Sequence, residues 1–142
     1  LSPIKLWKNI SVIIFLIAII FTLIGTFTIH DELVVHWNSV GVPNNSSGKW
    51  ILWAMLLLAF LSMFTHSSFS KKRPGQKPLS MEMSGAFSSG LEATWTIVII
   101  ILVTYNFYPM IAIPIIGTIG IGLCYILLVT IAYIRNRKDV KS

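Results

Sequence analysis

Four long stretches without a charged residue run through this chain, and they leave few environments in which it can fold. Ile10–Ile29 holds twenty residues, Trp50–Phe64 fifteen, Ala93–Tyr108 sixteen and Met110–Ile134 twenty-five. About twenty apolar residues at 1.5 Å rise cover the roughly 30 Å hydrocarbon core of a bilayer. The first and last stretches reach that length outright. The second reaches it with Thr65, His66 and Ser67 extending into the headgroup layer. The break Tyr105-Asn106-Phe107-Tyr108-Pro109 reads as a tight turn at the far face, so residues 93–134 form a helical hairpin. The expectation is an all-α integral membrane protein, a single domain over residues 1–142 with four transmembrane helices.

Composition closes off the soluble alternative. Hydrophobic residues make up 55% of the 142 and charged ones 11%, with a mean hydropathy of +0.79, whereas soluble domains carry about 25% charged residues. A soluble fold burying four such runs needs a large polar shell that this chain cannot supply. Lys5 and Lys8 precede the first run as in a secretory signal. That run is longer than the usual 7–15-residue signal core, and Gly25-Thr26-Phe27-Thr28 is a poor cleavage site, so we read it as a retained span.

Ten of the eleven Lys and Arg residues fall on one side of such a four-span arrangement. Lys5 and Lys8 precede span one; Lys71, Lys72, Arg73 and Lys77 lie between spans two and three; Arg135, Arg137, Lys138 and Lys141 follow span four; Lys49 alone lies opposite. The positive-inside tendency puts both termini and the 66–90 connection in the cytoplasm and the His30–Lys49 loop outside. Trp7, Trp95 and Tyr133 near the inner interface, and Trp50, Trp53, Tyr105 and Tyr108 near the outer one, agree with this orientation. Basic residues beside a membrane meet anionic lipid at about 1 kcal/mol each, so the net charge of +6 calls for membrane lipids as partners and not for nucleic acid.

Within residues 67–92 a basic, breaker-rich linker, Lys71-Lys72-Arg73-Pro74-Gly75-Gln76-Lys77-Pro78, gives way to helical spacing over Leu79–Leu91, with Met83, Phe87 and Leu91 on one face. This segment is read as an interfacial helix, which leaves Glu92 as an interfacial carboxylate near His66. If span three instead starts near Met83, Glu92 enters the bilayer, where an ionisable group marks a pathway or a partner. Gly117, Gly120 and Cys124 form a small-residue stripe on span four at which another helix, internal or from a second protein, can approach. Cys124 is the single cysteine, so no intrachain disulfide staples the outer loop.

The His30–Lys49 loop carries the clearest polar signature. Leu33-Val34-Val35 favours extended backbone, which points Leu33, Val35 and Trp37 one way and Val34, His36 and Asn38 the other. Gly41 to Gly48 is turn chemistry throughout, so the expected structure is a small irregular cap. His30, Asp31, Glu32 and His36 are weak metal candidates, because imidazole and carboxylate suit zinc but the spacing matches no helical His-Glu-x-x-His. We expect no metal and no cofactor. Asn44 and Asn45 satisfy the N-x-Ser sequon, which matters only in a eukaryotic secretory route. No Gly-x-Ser-x-Gly, phosphate-cradling loop or paired-carboxylate signature is present, and the chain is not expected to be an enzyme.

His36-Trp37-Asn38-Ser39-Val40-Gly41-Val42-Pro43, closed by Gly48-Lys49 before a span, resembles the small domain of unknown function at the N-terminus of SdpI-type bacterial membrane proteins. That family's pattern is roughly His-aromatic-Asn-x-x-Gly-x-Pro followed by Gly and Lys, between two helices. The resemblance covers about residues 10–66. The Leu-Pro that often precedes the motif is replaced by His30-Asp31-Glu32, and the acidic residue that often follows the proline is Asn44. The chain is also short for the second half of an SdpI-type protein. The resemblance implies a bacterial plasma-membrane immunity or sensing protein, with a toxin-facing outer loop and a basic inner face able to hold a partner. Its motif residues are His36, Trp37, Asn38, Gly41, Pro43 and Lys49. On this reading Gly41 and Pro43 shape the turn, Asn38 and His36 hydrogen-bond it, and Lys49 anchors it at the headgroups. The competing expectation is a small accessory subunit of a larger membrane complex, such as a peptide-exporting transporter, docked through Gly117, Gly120 and Cys124; a lone protein or a homo-oligomer would instead favour the immunity reading.

Overall fold

The computed structural model describes residues 2–71, 74, 75, 77 and 79–141; Lys72, Arg73, Gln76 and Pro78 of the basic linker lie outside the described residues. The element order is α1 (Pro3–Thr28), β1 (Leu33–Trp37), β2 (Pro43–Ser47), α2 (Trp50–Ser62), α3 (His66–Ser70), α4 (Met81–Phe107) and α5 (Ala112–Lys141). Four helical segments are long and apolar enough to cross a membrane: α1, the α2–α3 stretch Trp50–Ser70, α4, and Ala112–Lys138 of α5. Their outward faces carry bare apolar side chains such as Ile13, Leu16, Ile20, Leu57, Ile119, Leu123 and Leu127. Water would not tolerate that surface, whereas lipid covers it without cost.

Local chemistry sets the helix ends. Ser2 caps α1 by accepting from the Lys5 amide, with Pro3 at the first helical position, where its missing N–H is no loss. Ser80 caps α4 by accepting from the Met83 amide. The helix that starts there runs unbroken to Phe107. The third candidate span is thus one helix over Met81–Phe107, in which the segment read as an interfacial helix, or as an early start near Met83, forms the first three turns. Tyr105, Asn106 and Phe107 are helical, which moves the break before α5 to residues 108–111.

Helix α4 is the centre of the bundle. Its most apolar window is 61% buried, against 17% for α1 and for the α2–α3 stretch and 11% for α5. Helix α1 runs parallel to it, placing Trp7 at Gly85 and Gly25 at Val103. Helix α5 returns antiparallel, with Gly117 at Ile101 and Tyr125 at Gly90. Two apolar clusters result. One, near the hairpin, gathers Ala18, Ile29, Leu33, Leu52, Ile99, Leu102 and Val103; the other gathers Trp7, Ala86, Leu128 and Ala132 at the opposite end.

Residues 33–47 form an antiparallel two-stranded ribbon with an irregular register, where a small irregular cap was expected. Leu33 pairs with Ser47 and Trp37 with Pro43, with register shifts between. Leu33, Val35 and Trp37 pack on the first cluster, on the face their alternation assigned them.

Close approach at Gly85 is what seats Trp7: a methyl group there would lie 2.2 Å from Trp7 Cγ. At Gly120 it would meet nothing within 4 Å. Gly85→Val is expected to lower the thermal midpoint in detergent by several degrees or to abolish folded yield, and Gly120→Val to leave both within error, read by size-exclusion and thermal-shift measurements.

Candidate functional site

The ribbon's tip is built by Asn38. Its side-chain Oδ1 accepts from the amides of Val40 at 3.1 Å and Val42 at 2.8 Å. Its backbone pairs with Val42 O and Gly41 N, both at 2.9 Å. Gly41 takes φ +80°, which L side chains rarely adopt, and sits so near α5 that a methyl group would fall 2.4 Å from Ile111 Cδ1. Asn38 and Gly41 therefore shape the turn. Pro43 opposes Trp37 at the start of β2. His36 ties the strands through a 2.6 Å bond between its Nδ1 and Asn44 Oδ1.

Two contacts fix the ribbon to α4, and two more tie Lys49, just beyond it, and α2 to the end of α1. Asn106 Oδ1 at the end of α4 accepts from the Val34 amide at 3.2 Å. Trp37 meets Tyr105 edge-on, with ring centroids 4.8 Å apart. Lys49 Nζ donates to Thr26 O at 2.8 Å, and Trp53 Nε1 to Thr26 Oγ1 at 3.0 Å. Lys49 thus satisfies one of the orphan carbonyls in the last turn of α1 and is occupied there, where the sequence suggested a headgroup anchor.

Between the tip and the first turns of α5 lies a groove of about 530 Å³, lined by Trp37, Asn38, Ser39, Val40 and Gly41 on one side and Ile111, Pro114, Ile115, Thr118 and Ile119 on the other. Val40 is 77% exposed, and Ile115 and Ile119 are open as well. Trp37 Nε1 is buried with no hydrogen-bond partner among the described residues. Three of the six motif residues line this groove, while His36, Pro43 and Lys49 hold the ribbon that forms it.

The metal candidates do not converge. No group of three or more His, Cys, Asp or Glu able to hold a metal ion occurs among the described residues. Glu32 accepts from Ser46 at 2.6 Å and His36 is engaged with Asn44. His30, Asp31 and Glu32 line a separate small opening with Asn106 and Phe107.

At the opposite end the bundle buries two carboxylates. Glu82, which the sequence did not single out, is 2% exposed; its Oε2 accepts from Trp7 Nε1 at 2.6 Å and its Oε1 from Arg135 Nε at 2.7 Å. Glu92 is fully buried inside the protein, surrounded by the other helices. It accepts from Ser11 at 2.5 Å through Oε2, while Oε1 has no partner among the described residues. His66 does not join it, since its Nε2 lies 3.3 Å from Met81 O. Trp7 and Glu82 are 75 positions apart; the only sequence signals were an acid opening one long apolar helix and an arginine ending another.

The small-residue stripe divides. Gly117 receives Ile101, with a methyl group there only 2.3 Å from Ile101 Cγ1. Cys124 packs beside the Trp7 cluster. These two positions thus serve the internal α4–α5 contact, and Gly120 alone has open space around it.

No family model, no curated protein and no solved structure matches this chain.

Asn38→Ala leaves two tip amides without their acceptor and is expected to cost about 1 kcal/mol. The ribbon amides of residues 40–45 should then exchange hydrogen faster than in the parent chain, while those of α4 stay unchanged in mass-resolved exchange.

Proposed function

We propose that this chain is a multi-pass protein of a bacterial plasma membrane, with both termini in the cytoplasm and the ribbon outside, that confers immunity to, or senses, a membrane-active peptide. The ligand docks in the groove between the ribbon tip and α5. The observation that carries this reading is the groove itself: Trp37, Asn38 and Gly41 of the SdpI-like motif meet open apolar residues of α5 there. An amphipathic segment offers what such a surface takes, namely apolar side chains for Val40, Ile111, Ile115 and Ile119 and polar groups for the rim. Ten of the eleven basic residues fall in the segments that flank the other end of the spans, which supports the orientation.

A second reading, an accessory subunit of a larger membrane complex, is favoured by one observation: α5 leaves Gly120 and Gly122 with nothing within 4 Å on a helix that is little covered. The two readings separate experimentally. Val40→Asp at the exposed ribbon tip and Ile115→Ala on α5 should each sharply lower protection of a susceptible strain against a panel of membrane-permeabilising peptides, with membrane levels of the protein unchanged. Gly120→Leu should leave protection intact. If Gly120→Leu removes a co-purifying partner and the groove variants change nothing, the subunit reading replaces the first.

A further inference from the structure

A further cavity lies at the basic end, away from the ribbon. It is a half-open crevice of about 390 Å³, within the range of small-ligand pockets. Its walls are Trp7, Lys8 and Ser11 of α1 and Met63, Phe64 and His66 at the end of the second span, and its floor is Gly85, Ser88 and Ser89 of α4. Deeper in the bundle Phe15 of α1 meets Phe60 of α2 with ring centroids 5.6 Å apart, and at the crevice the small residues Gly85, Ser88 and Ser89 of α4 leave space.

The polar groups facing this space are unevenly engaged. Ser11 donates to Glu92, and Ser88 donates to Ser62 O. Lys8 and Ser89 form no hydrogen bond or ion pair among the described residues. Glu82, behind the Trp7 wall, has both oxygens occupied by Trp7 and Arg135, and Glu92 stands behind the Ser11 hydroxyl. His66 on the far wall is engaged with Met81 O, so what remains on offer is one ammonium at the mouth, one free hydroxyl on the floor, and a rim of apolar side chains: Ile4, Val12, Phe64 and Met81.

We propose that this crevice binds the head group of an anionic phospholipid, with the phosphate held by Lys8 and Ser89 and the first acyl carbons lying against Val12 and Phe64. A soluble anion would use the charge but not the apolar rim, and an apolar ligand would leave the ammonium unused. A phospholipid uses both, and the crevice lies at the end of the bundle toward which the basic segments of the chain, ten Lys and Arg in all, attract that lipid. The site is independent of the groove, so the two proposals fail separately.

The test reconstitutes the full chain in nanodiscs of phosphatidylcholine and phosphatidylglycerol and counts retained lipids by native mass spectrometry. The parent chain should retain one phosphatidylglycerol in preference to phosphatidylcholine. Lys8→Gln should cut that preference about five-fold, the worth of one cation near the surface. Lys5→Gln, on the same helix but outside the crevice, should leave it unchanged. Ser89→Leu should abolish retention; Ser89→Ala, which cannot block the crevice, should weaken it and so guards against misfolding of the larger variant. Equal retention of the two lipids, or an equal loss in Lys5→Gln and Lys8→Gln, would overturn the proposal in favour of diffuse surface attraction.

Discussion

Glu82 is the point on which the arrangement of the helices depends. A carboxylate on a helix destined for hydrocarbon must find donors inside the protein, because lipid has none and each unsatisfied group costs several kcal/mol. Its two oxygens take one donor from α1 and one from α5, so a single side chain on α4 fixes the rotation of both neighbours. Gly85, one turn on, admits the Trp7 ring that reaches the carboxylate. The acid and the glycine work together, since a larger residue at 85 would push the indole away from Glu82. Glu92 and Ser11 repeat the α1–α4 link farther along.

This explains why the span that carries most of the buried polar side chains is the central one. Helix α4 begins with Glu82, Ser84, Gly85, Ser88, Ser89, Gly90 and Glu92, all buried by the other helices. Small residues let the backbones approach, and the hydroxyls and carboxylates are shielded from lipid by the apolar helices around them. The same smallness leaves the crevice at the basic end. At the other end α4 is apolar, and the ribbon rests on Tyr105 and Asn106. The two ends thus differ in kind: one is a polar knot with a cavity beside it, and the other an apolar platform carrying a ribbon and a groove.

The four apolar helices were legible in the sequence because long uncharged runs are stable in few settings besides a bilayer. The start of α4 stands between two readings in the sequence, an interfacial helix over Leu79–Leu91 and a span beginning near Met83. Residues 81–92 carry Ser, Gly and Glu, a composition that belongs to an interface if the helix is imagined alone and to a core if three helices surround it. Helical spacing cannot decide between them when every face is buried. In the ribbon the alternation at 33–37 was readable, whereas Pro43-Asn44-Asn45-Ser46-Ser47 has poor strand propensity and becomes a strand only by pairing with β1. The motif residues were visible as a set, but their division of labour needed coordinates: Asn38 and Gly41 make the tip, His36 joins the strands, and Lys49 caps α1. The links to Arg135 and Trp7 had no sequence signature, because nothing in a linear pattern joins positions 7, 82 and 135.

Whether Glu82 ties α1 and α5 to α4 is tested most directly by exchanging the charges of its ion pair. Glu82→Arg and Arg135→Glu singly place like charges together in a largely buried site and should each lower the thermal midpoint and folded yield in detergent, by roughly 3 kcal/mol where it can be measured. The double exchange, Glu82→Arg with Arg135→Glu, should recover a large part of that loss, short of full recovery because Trp7 Nε1 no longer meets a carboxylate. If the double variant were no better than the sum of the two singles, the pair would not couple the helices, and something other than Glu82 would hold this bundle together.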